Sequence, residues 1–596
     1  MSNIRKLFVG FCAILLAGLV SCGFSGAEKG QESGSLVFDF TGLGENQQTA
    51  YRASLKEYFI QYDNCFLDLK LEGTYEFAET YDLKKTSIIT IADISVGAQV
   101  KAVLEIYSKF SREDIDDGEE SREFKEILFT GESELYEIQD GPNEITVTMT
   151  RYSGDINDKP EPEEPKVTIY VKYDPNKQGT STWDIEHGSM PEEEEGRDGQ
   201  TEDSAFNYIQ SAIEWIIDNG DGNTNYQILL TGYEKDDPDL IVPFDQGMMF
   251  KDGLNGKAKS ITLTSSDPRY TALCSSGEKS IYVCTNVKLI LKNIKIATKA
   301  NSTTERTSLI ITTAYGQGCE ILLSEGTVLE GSESYTALKG SAIYIYTGTV
   351  TMEKDACIKG FRAKSSGGAA YLEYGYFHMF DDSSIQDCHT TQSSIGNGGG
   401  AIFMDENATS FTMNDNASIS GCSSYNNGGA IYMDGGGFTL NSGSITGCQG
   451  SSGGAIYMTA EKTIPSIYLE GGTISGCTAS AKGSAIFMLR GSAGLPKITL
   501  GGDIFVDPEN DVYTSSSINI LLNNVLTTQN EKAILISYNY NTISTGSKLL
   551  KLADYSYDNE AVSKSHDKIA VRIEQADSTY KTNYYFSDQG ALLEQN

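Results

Sequence analysis

A short glycine-rich motif recurs six times between residues 340 and 485 and constrains the fold more than any other feature of the chain. Each copy places a glycine, a second small residue and an alanine before an apolar-aromatic-apolar triplet. The copies begin at Gly340, Gly367, Gly399, Gly428, Gly453 and Gly483, with spacings of 27, 32, 29, 25 and 30 residues. A period of this length indicates a solenoid whose units stack to bury a shared core.

The composition of the repeat unit decides between helical and β repeats. Each unit is rich in glycine, serine, threonine and β-branched residues and lacks a ten-residue helical stripe, which disfavours helical repeats. The 596 residues include 60 glycines but only 12 prolines, so glycine marks turns in a folded chain rather than a proline-rich tract. We therefore predict an all-β protein with a single-stranded, right-handed parallel β-helix over residues 221–515 and clear repeats at 340–505.

The triplets align in columns when the units are stacked. Alternate side chains of a strand face opposite ways, so we expect the two aliphatic columns to point inward and the aromatic column to form an outer ladder with a spacing of about 4.8 Å. This ladder is a candidate ligand face, although aromatic stacking that only stabilises the sheet is an equally good explanation. Its members are Tyr344, Tyr371, Phe403, Tyr432, Tyr457 and Phe487.

A second strand in several units ends in a cysteine. The cysteines at this position are Cys388, Cys422, Cys448 and Cys477, and Phe361 occupies it in an earlier unit. In-register stacking separates neighbouring Cβ atoms by about 4.8 Å, beyond the usual disulfide range of about 3.5–4.5 Å, so we expect a ladder of internal thiols. Disulfides between neighbours remain an alternative in an oxidising compartment. A linear row with only His389 nearby disfavours a tetrahedral zinc site.

An acidic column follows the triplets in three successive units. Glu373, Asp405 and Asp434 occupy the residue directly after the triplet. Like charges at coil spacing require a counter-cation, solvent or a raised pKa. Calcium held by these carboxylates is one answer, since hard cations prefer oxygen ligands, and a solvated turn edge is the alternative. No other cofactor is expected.

The repeats resemble a known family. The glycine-glycine-alanine-isoleucine units alternate with Phe411-Thr412-Met413-Asn414 and Phe438-Thr439-Leu440-Asn441. This pairing resembles the motifs of the polymorphic outer-membrane proteins of chlamydial autotransporters, over about residues 340–505. The resemblance implies a right-handed parallel β-helix of the pectin-lyase-like type, with a role in adhesion. That family ends in a membrane β-barrel, whereas the residues after the repeats contain too few strands for one, so we do not expect autotransport.

Catalysis has to be considered because polysaccharide lyases and hydrolases share this fold. A glycosidase needs carboxylates that converge across one groove. The candidates are Glu373, Asp381, Asp382, Asp405 and Asp434. The Gly-His-Gly element of polygalacturonase-like enzymes is absent, since none of His187, His378, His389 and His566 lies between two glycines. The sequence therefore favours a non-catalytic protein, with polysaccharide binding or degradation at the acidic edge as the alternative.

The N-terminal residues predict export and lipid anchoring. Arg5 and Lys6 precede an apolar run that ends in Ser21-Cys22, which indicates a signal peptide over residues 1–21. The pattern resembles the lipobox of bacterial lipoproteins, which implies lipidation at Cys22, although an ordinary secretory signal is the alternative. Residues 22–33 form a predicted tether. Gly23 is not the aspartate that retains enteric lipoproteins at the inner membrane, so we expect an outer-membrane lipoprotein at the cell surface, with a periplasm-facing orientation as the alternative.

The remaining segments have less specific patterns. Period-2 alternation predicts a β-sandwich at 34–152, resembling immunoglobulin-like or transthyretin-like modules. Glutamate runs predict an acidic linker at 153–200, with one strand near 166–172. Residues 201–220 predict an amphipathic helix that caps the β-helix, and residues 516–596 a C-terminal β segment or cap.

Net charge limits the partners. The chain has 46 Lys and Arg against 82 Asp and Glu, a formal charge of −36, which argues against nucleic acid as a partner. We expect contact with a membrane through the lipid anchor and binding of a host or envelope protein or glycan. The sequence thus predicts a surface or outer-membrane lipoprotein whose β-helix is a non-catalytic binding or adhesion module.

Overall fold

A computed structural model describes residues 12–13, 33–39, 65–151, 167–172 and 196–595, with gaps inside the longer ranges. The gaps are 76, 83–87, 113–121, 134, 139–140, 144–147, 232–241, 244–247, 251, 267–270, 276–280, 284–286, 299–307, 313–318, 333–335, 392–397, 524, 529, 540, 542 and 553–558. Cys22, His187 and most of the predicted signal peptide, tether and acidic linker lie outside the described residues. The protein is 51% strand and 6% helix, which confirms the all-β class.

The chain divides into two compact units, Met1–Pro162 and Glu163–Asn596. The first unit contains a seven-stranded antiparallel sheet and a three-stranded sheet. The seven strands are Cys12–Ala13, Cys65–Gly73, Phe77–Asp82, Gln99–Arg112, Arg122–Glu132, Tyr136–Glu137 and Thr148–Arg151, and the three are Ser33–Asp39, Ile88–Ser95 and Gly141–Asn143. Leu67, Leu69 and Leu71 are buried while Lys70 and Glu72 are exposed, which is the alternation of a half-buried strand. An immunoglobulin-like or transthyretin-like topology stays a prediction.

The second unit is a parallel β-solenoid of about nine turns. Its strands form four sheets, named sheet I to sheet IV in the order in which one coil visits them. Within each sheet, strands from successive coils pair in parallel and in register, so a side chain lies beside its counterpart in the next coil. The repeat motif therefore produces the predicted parallel β-helix.

Sheets I and II form the first two faces of each coil. Sheet I consists of Val167–Lys172, Asn225–Thr231, Ser260–Ser265, Lys288–Lys292, Glu320–Leu323, Thr349–Met352, Tyr376–Met379, Ser410–Met413, Gly437–Leu440, Ser466–Leu469, Lys497–Leu500, Ile520–Leu522 and Leu550–Leu552. Sheet II consists of Val242–Pro243, Thr271–Ser275, Lys295–Thr298, Val328–Glu330, Cys357–Lys359, Ser384–Gln386, Ser418–Ser420, Ser444–Thr446, Thr473–Ser475 and Phe505–Val506.

Sheets III and IV complete the coil. Sheet III consists of Thr336–Lys339, Arg362–Ser366, His389–Thr390, Ser423–Ser424, Gln449–Ser452 and Thr478–Lys482. Sheet IV consists of Met248–Phe250, Ile281–Val283, Ile310–Thr312, Ile343–Ile345, Ala370–Leu372, Ile402–Met404, Ile431–Met433, Ile456–Thr459, Ile486–Leu489, Asp511–Thr514, Ile534–Asn539, Ile569–Glu574, Tyr580–Phe586 and Leu592–Glu594. The last two strands pair antiparallel.

Apolar columns fill the inside of the coils. The first and third residues of the triplets on sheet IV are fully buried in the main core, as the alternation predicts. On sheet I, the rings of Phe377, Phe411 and Phe438 follow one another with centroid distances of 5.6 and 5.0 Å. Each coil thus adds one layer to a continuous core, which is how repeat units that cannot fold alone become stable.

The described solenoid is longer than predicted at both ends. Val167–Lys172 lies in the predicted acidic linker but pairs in parallel with Asn225–Thr231. Beyond residue 515, parallel pairing continues through Ile534–Asn539 to Ile569–Glu574. The sequence boundary at 515 was too early because these coils lack the glycine-alanine motif, although their strands stack in the same way.

The described residues contain few helices, and these are short. Helix α1, Ile209–Asn219, lies inside the predicted range 201–220 and buries Ile209, Ile213 and Ile216; its role as an end cap stays a prediction. Helix α2 is Asn559–Ser565, and single 3-10 turns occupy Asp252–Leu254 and His566–Lys568. Among the described residues, no helix has the length and apolar character needed to cross a membrane.

Candidate functional site

The glycine motif forms the corner between sheets III and IV and so positions the triplet. In one coil Gly428 has a φ of 66°, in the left-handed region that favours glycine. A Cβ at Gly429 would lie 2.0 Å from the carbonyl oxygen of Gly454 in the next coil. The first glycine is thus required by the turn and the second by the close approach of two coils.

The aromatic column of sheet IV forms a continuous stack, named here the aromatic ladder. Successive ring centroids are 4.9–5.5 Å apart, with interplanar angles of 4–27°. The ladder consists of Tyr344, Tyr371, Phe403, Tyr432, Tyr457, Phe487 and Tyr513, the last of which was not recognised from the sequence.

The aromatic ladder, a candidate ligand face from the sequence, has little exposed surface in its central coils. Tyr371, Phe403, Tyr432 and Tyr457 expose 6% or less of their surface and form a cluster separate from the main core. Each of their faces is covered by the ring of the neighbouring coil. A partner therefore cannot stack on these rings, because the coil spacing already matches the distance at which aromatic rings stack on each other.

Tyrosine hydroxyls connect the aromatic ladder to the acidic column. Tyr344 donates to Glu373, and Tyr371 donates to Asp405 Oδ2. In both cases the hydroxyl reaches the carboxylate that follows the triplet of the next coil. Burial, and then the carboxylate neighbour, raises the pKa of both tyrosines. Two of the three predicted acidic residues thus have a protein partner.

Asp434 is the third member of the column and differs from the other two. The ring one coil before it is Phe403, which has no hydroxyl to donate. Its Oδ1 is buried without a hydrogen-bond partner. Burial, followed by the charges of Asp405 and Glu406, raises the pKa of Asp434 to about 6.

Three carboxylates converge at this point and are named here the acidic cluster. Asp405, Glu406 and Asp434 each offer a carboxylate oxygen within 4.8 Å of the other two. Lys462, 65% exposed, forms an ion pair with Glu406. The structure thus brings together two of the three predicted calcium ligands, Asp405 and Asp434, and adds Glu406. Glu373 is not part of the cluster. Glu406 was missed because it has no counterpart in the other units.

The remaining acidic candidates lie at another turn. Asp381 and Asp382 follow sheet I, whereas the acidic cluster follows sheet IV. Asp381 accepts the backbone N–H of Lys354 at 2.8 Å, and Asp382 accepts from the side chain of Asn416 at 3.1 Å. These carboxylates order the turns of neighbouring coils.

The described histidines have structural contacts. His378 is buried in sheet I, 2.8 Å from Thr412 Oγ1, and burial lowers its pKa to about 4. His389 is partly buried on sheet III, 2.8 Å from Ser423 Oγ, and burial lowers its pKa as well. His566 Nδ1 lies 2.8 Å from the carbonyl oxygen of Ser563.

The predicted cysteine ladder lies directly after sheet II. Cys388, Cys422, Cys448 and Cys477 are free thiols that expose 1% or less. Each Sγ donates to the carbonyl oxygen two residues earlier, at 3.3–3.4 Å. Burial raises the pKa of Cys422, so its reactive thiolate form is disfavoured. At one end, the Asn510 side chain donates to the carbonyl oxygen of Cys477 at 2.7 Å.

The outer face of sheet II carries polar rows that the sequence did not single out. Three successive strands have a hydroxyl residue at both outward positions, on either side of a buried isoleucine. The pairs are Ser418 with Ser420, Ser444 with Thr446, and Thr473 with Ser475, all partly exposed. We name these residues the hydroxyl face. The sequence signal for the hydroxyl face is the serine or threonine on either side of the isoleucine in the strands that precede the repeated cysteines.

Comparison of the chain with known protein families, curated proteins and solved structures finds no match. Fold and site together define the class: a parallel β-solenoid protein with an internal aromatic ladder and an acidic edge.

Proposed function

We propose that the chain is a lipid-anchored outer-membrane lipoprotein whose solenoid is a non-catalytic binding module displayed at the cell surface. The hydroxyl face is the observation that carries this proposal. It offers hydrogen-bonding groups at regular coil spacing along one parallel sheet, and none of its six members is charged. The resemblance of the repeats to polymorphic outer-membrane proteins supports adhesion to a host or envelope protein or glycan as the biological role.

Display and anchoring are tested on intact cells. Externally added protease should cleave the solenoid, and Cys22→Ala should release the protein from the membrane fraction. A solenoid that stays protected in intact cells but is cleaved after permeabilisation contradicts surface display.

Binding is tested with the full chain on panels of purified glycans and matrix proteins. Thr446→Arg should abolish binding by placing a long charged side chain in the middle of the hydroxyl face. Thr439→Arg, in the same coil but on the outer face of sheet I, is the matched control and should bind like the wild type. Equal loss in both variants, or binding by neither the wild type nor the variants, contradicts the proposal.

A polysaccharide-degrading function at the acidic cluster is the second candidate. It is supported by the raised pKa of Asp434, which lies close to Asp405, since glycoside hydrolysis uses two nearby carboxyl groups, one of which has a raised pKa and acts as the general acid. Release of reducing or unsaturated ends from acidic polysaccharides, abolished by Asp405→Ala, would favour this function over adhesion. Absence of such release from the wild type excludes it for the substrates used.

A further inference from the structure

We propose that the acidic cluster, together with Thr459, is a binding site for one calcium ion that bridges neighbouring coils. This calcium site does not depend on the binding module proposed above, so the inference stands even if the hydroxyl face binds no partner. It differs from the ligand set expected from the sequence, because Glu373 is replaced by Glu406 and a threonine hydroxyl is added.

The size and chemistry of the acidic cluster suit a hard cation. All three residues offer oxygen, the ligand that calcium prefers, with typical distances of about 2.3–2.6 Å. Two ligands on opposite sides of such an ion are therefore about 4.6–5.2 Å apart. The 4.8 Å within which the carboxylate oxygens of Asp405, Glu406 and Asp434 lie fits a single ion.

Thr459 provides an observation independent of the acidic charges. Met433 pairs with Met458, so Thr459 occupies the coil position next to Asp434, on the same strand face. Thr459 is 3% exposed, and its Oγ1 has no hydrogen-bond partner. Buried polar atoms are almost always paired. Two unpaired oxygens in neighbouring coils, Asp434 Oδ1 and Thr459 Oγ1, thus indicate a ligand that binds oxygen.

The aromatic ladder explains why the site lies at this coil and not one coil earlier. Tyr344 and Tyr371 each donate a hydroxyl to the acidic residue of the next coil. Phe403 interrupts this series and leaves Asp434 Oδ1 without a donor. A cation supplies the partner that Asp434 Oδ1 lacks.

Hydrogen bonds within the protein hold the backbone around the acidic cluster in place. Thr463 Oγ1 donates to the carbonyl oxygens of Glu406, at 3.0 Å, and Asp434, at 3.1 Å. Asp405 Oδ1 accepts the backbone N–H of Glu406 at 2.7 Å. The ammonium of Lys462 pairs with Glu406 but is mostly exposed, so it can leave when a divalent cation binds.

The site is tested by titrating calcium into the chelator-treated full chain and measuring the heat of binding by isothermal titration calorimetry. We expect one saturable equivalent and an increase in the unfolding temperature, because a ligand that binds only the folded state stabilises it. Asp434→Asn should weaken binding at least tenfold. Lys462→Gln should strengthen it several-fold, because the competing ammonium is removed.

Phe403→Tyr is the sharpest variant because it removes no ligand. The new hydroxyl should donate to Asp434 as Tyr371 does to Asp405, and so weaken calcium binding several-fold. Phe487→Tyr is the matched control: it is in the same ladder, but Ser515 rather than a carboxylate follows the triplet of the next coil. No uptake by the wild type, or an affinity that Asp434→Asn and Phe403→Tyr leave unchanged, overturns the proposal.

Discussion

At the scale of single residues, the burial and hydrogen bonding of a polar side chain in the solenoid depend on its neighbours in adjacent coils. His378 pairs in register with Thr351 before it and Thr412 after it, and Thr439 follows in the next coil. Its imidazole is buried between these threonines and bonds to Thr412. Burial penalises the charged form, so this histidine stays neutral in the folded protein where an exposed histidine would take up a proton.

This difference predicts a loss of stability in acid. The folded pKa of His378 is about 4 against an ordinary 6.5, so its effect is absent above pH 6.5. Below that pH the unfolded chain binds a proton that the folded chain does not, and stability falls until about pH 4. This shift in the pKa of His378 corresponds to a loss of about 3 kcal/mol in the free energy of unfolding. His378→Thr, which copies the neighbouring coils, should reduce the pH dependence of the unfolding temperature over this range. An identical pH profile in the variant contradicts the assignment.

At the scale of the elements, one glycine corner and four short strands repeat, with small changes, in each coil that carries the motif. Gly428 and Gly429 form the corner before Ile431–Met433, and the tight contact with Gly454 fixes the distance between coils. Alanine follows in every copy because a small buried side chain fits under the turn; Ala430 is fully buried. The motif is thus required by packing between coils.

A methyl group at the corner tests this account. Gly429→Ala would place a Cβ 2.0 Å from a backbone oxygen of the next coil, and backbone cannot move aside cheaply. We expect a loss of about 1–3 kcal/mol, as for overpacked cores. Gly437→Ala in the same coil meets nothing within 4 Å and is the control. Denaturant unfolding of both variants measures the difference, and equal stabilities would show that the corner tolerates a side chain.

At the scale of the whole molecule, the second unit ends in a network of charges. Glu574, 4% exposed at its side chain, binds Lys482 at 2.5 Å and accepts from Tyr513 at 2.7 Å. Arg572 forms an ion pair with Asp511 at 2.9 Å. Burial alone would raise the pKa of Glu574, but Lys482 and Tyr513 outweigh it, so the pKa is lowered and the carboxylate stays charged. These contacts join the last repeat coils to the strand Ile569–Glu574.

Loss of this network should loosen the C-terminal coils first. Glu574→Ala leaves Lys482 without its carboxylate, and since Lys482 is about a third exposed we expect a loss of about 1–3 kcal/mol, below that of a fully buried pair. Hydrogen exchange should speed up in the strands after residue 505. Glu594→Ala removes the exposed pair with Lys581, 3.8 Å apart, and should change little. Uniform exchange in Glu574→Ala would contradict a local role.

The sequence alone determined the period, the parallel coil and the inward aliphatic columns, because strand alternation and glycine corners are local properties of each unit. It also placed Asp405 and Asp434 in one column and the four cysteines in another. Only the tertiary structure decided that the aromatic rings are buried, that parallel pairing extends beyond residue 515, and that Asp434 and Thr459 have unpaired oxygens. It also decided that Lys482 meets Glu574, 92 residues later. These features depend on which atoms of neighbouring coils come into contact, and that register is set by stacking of the complete core.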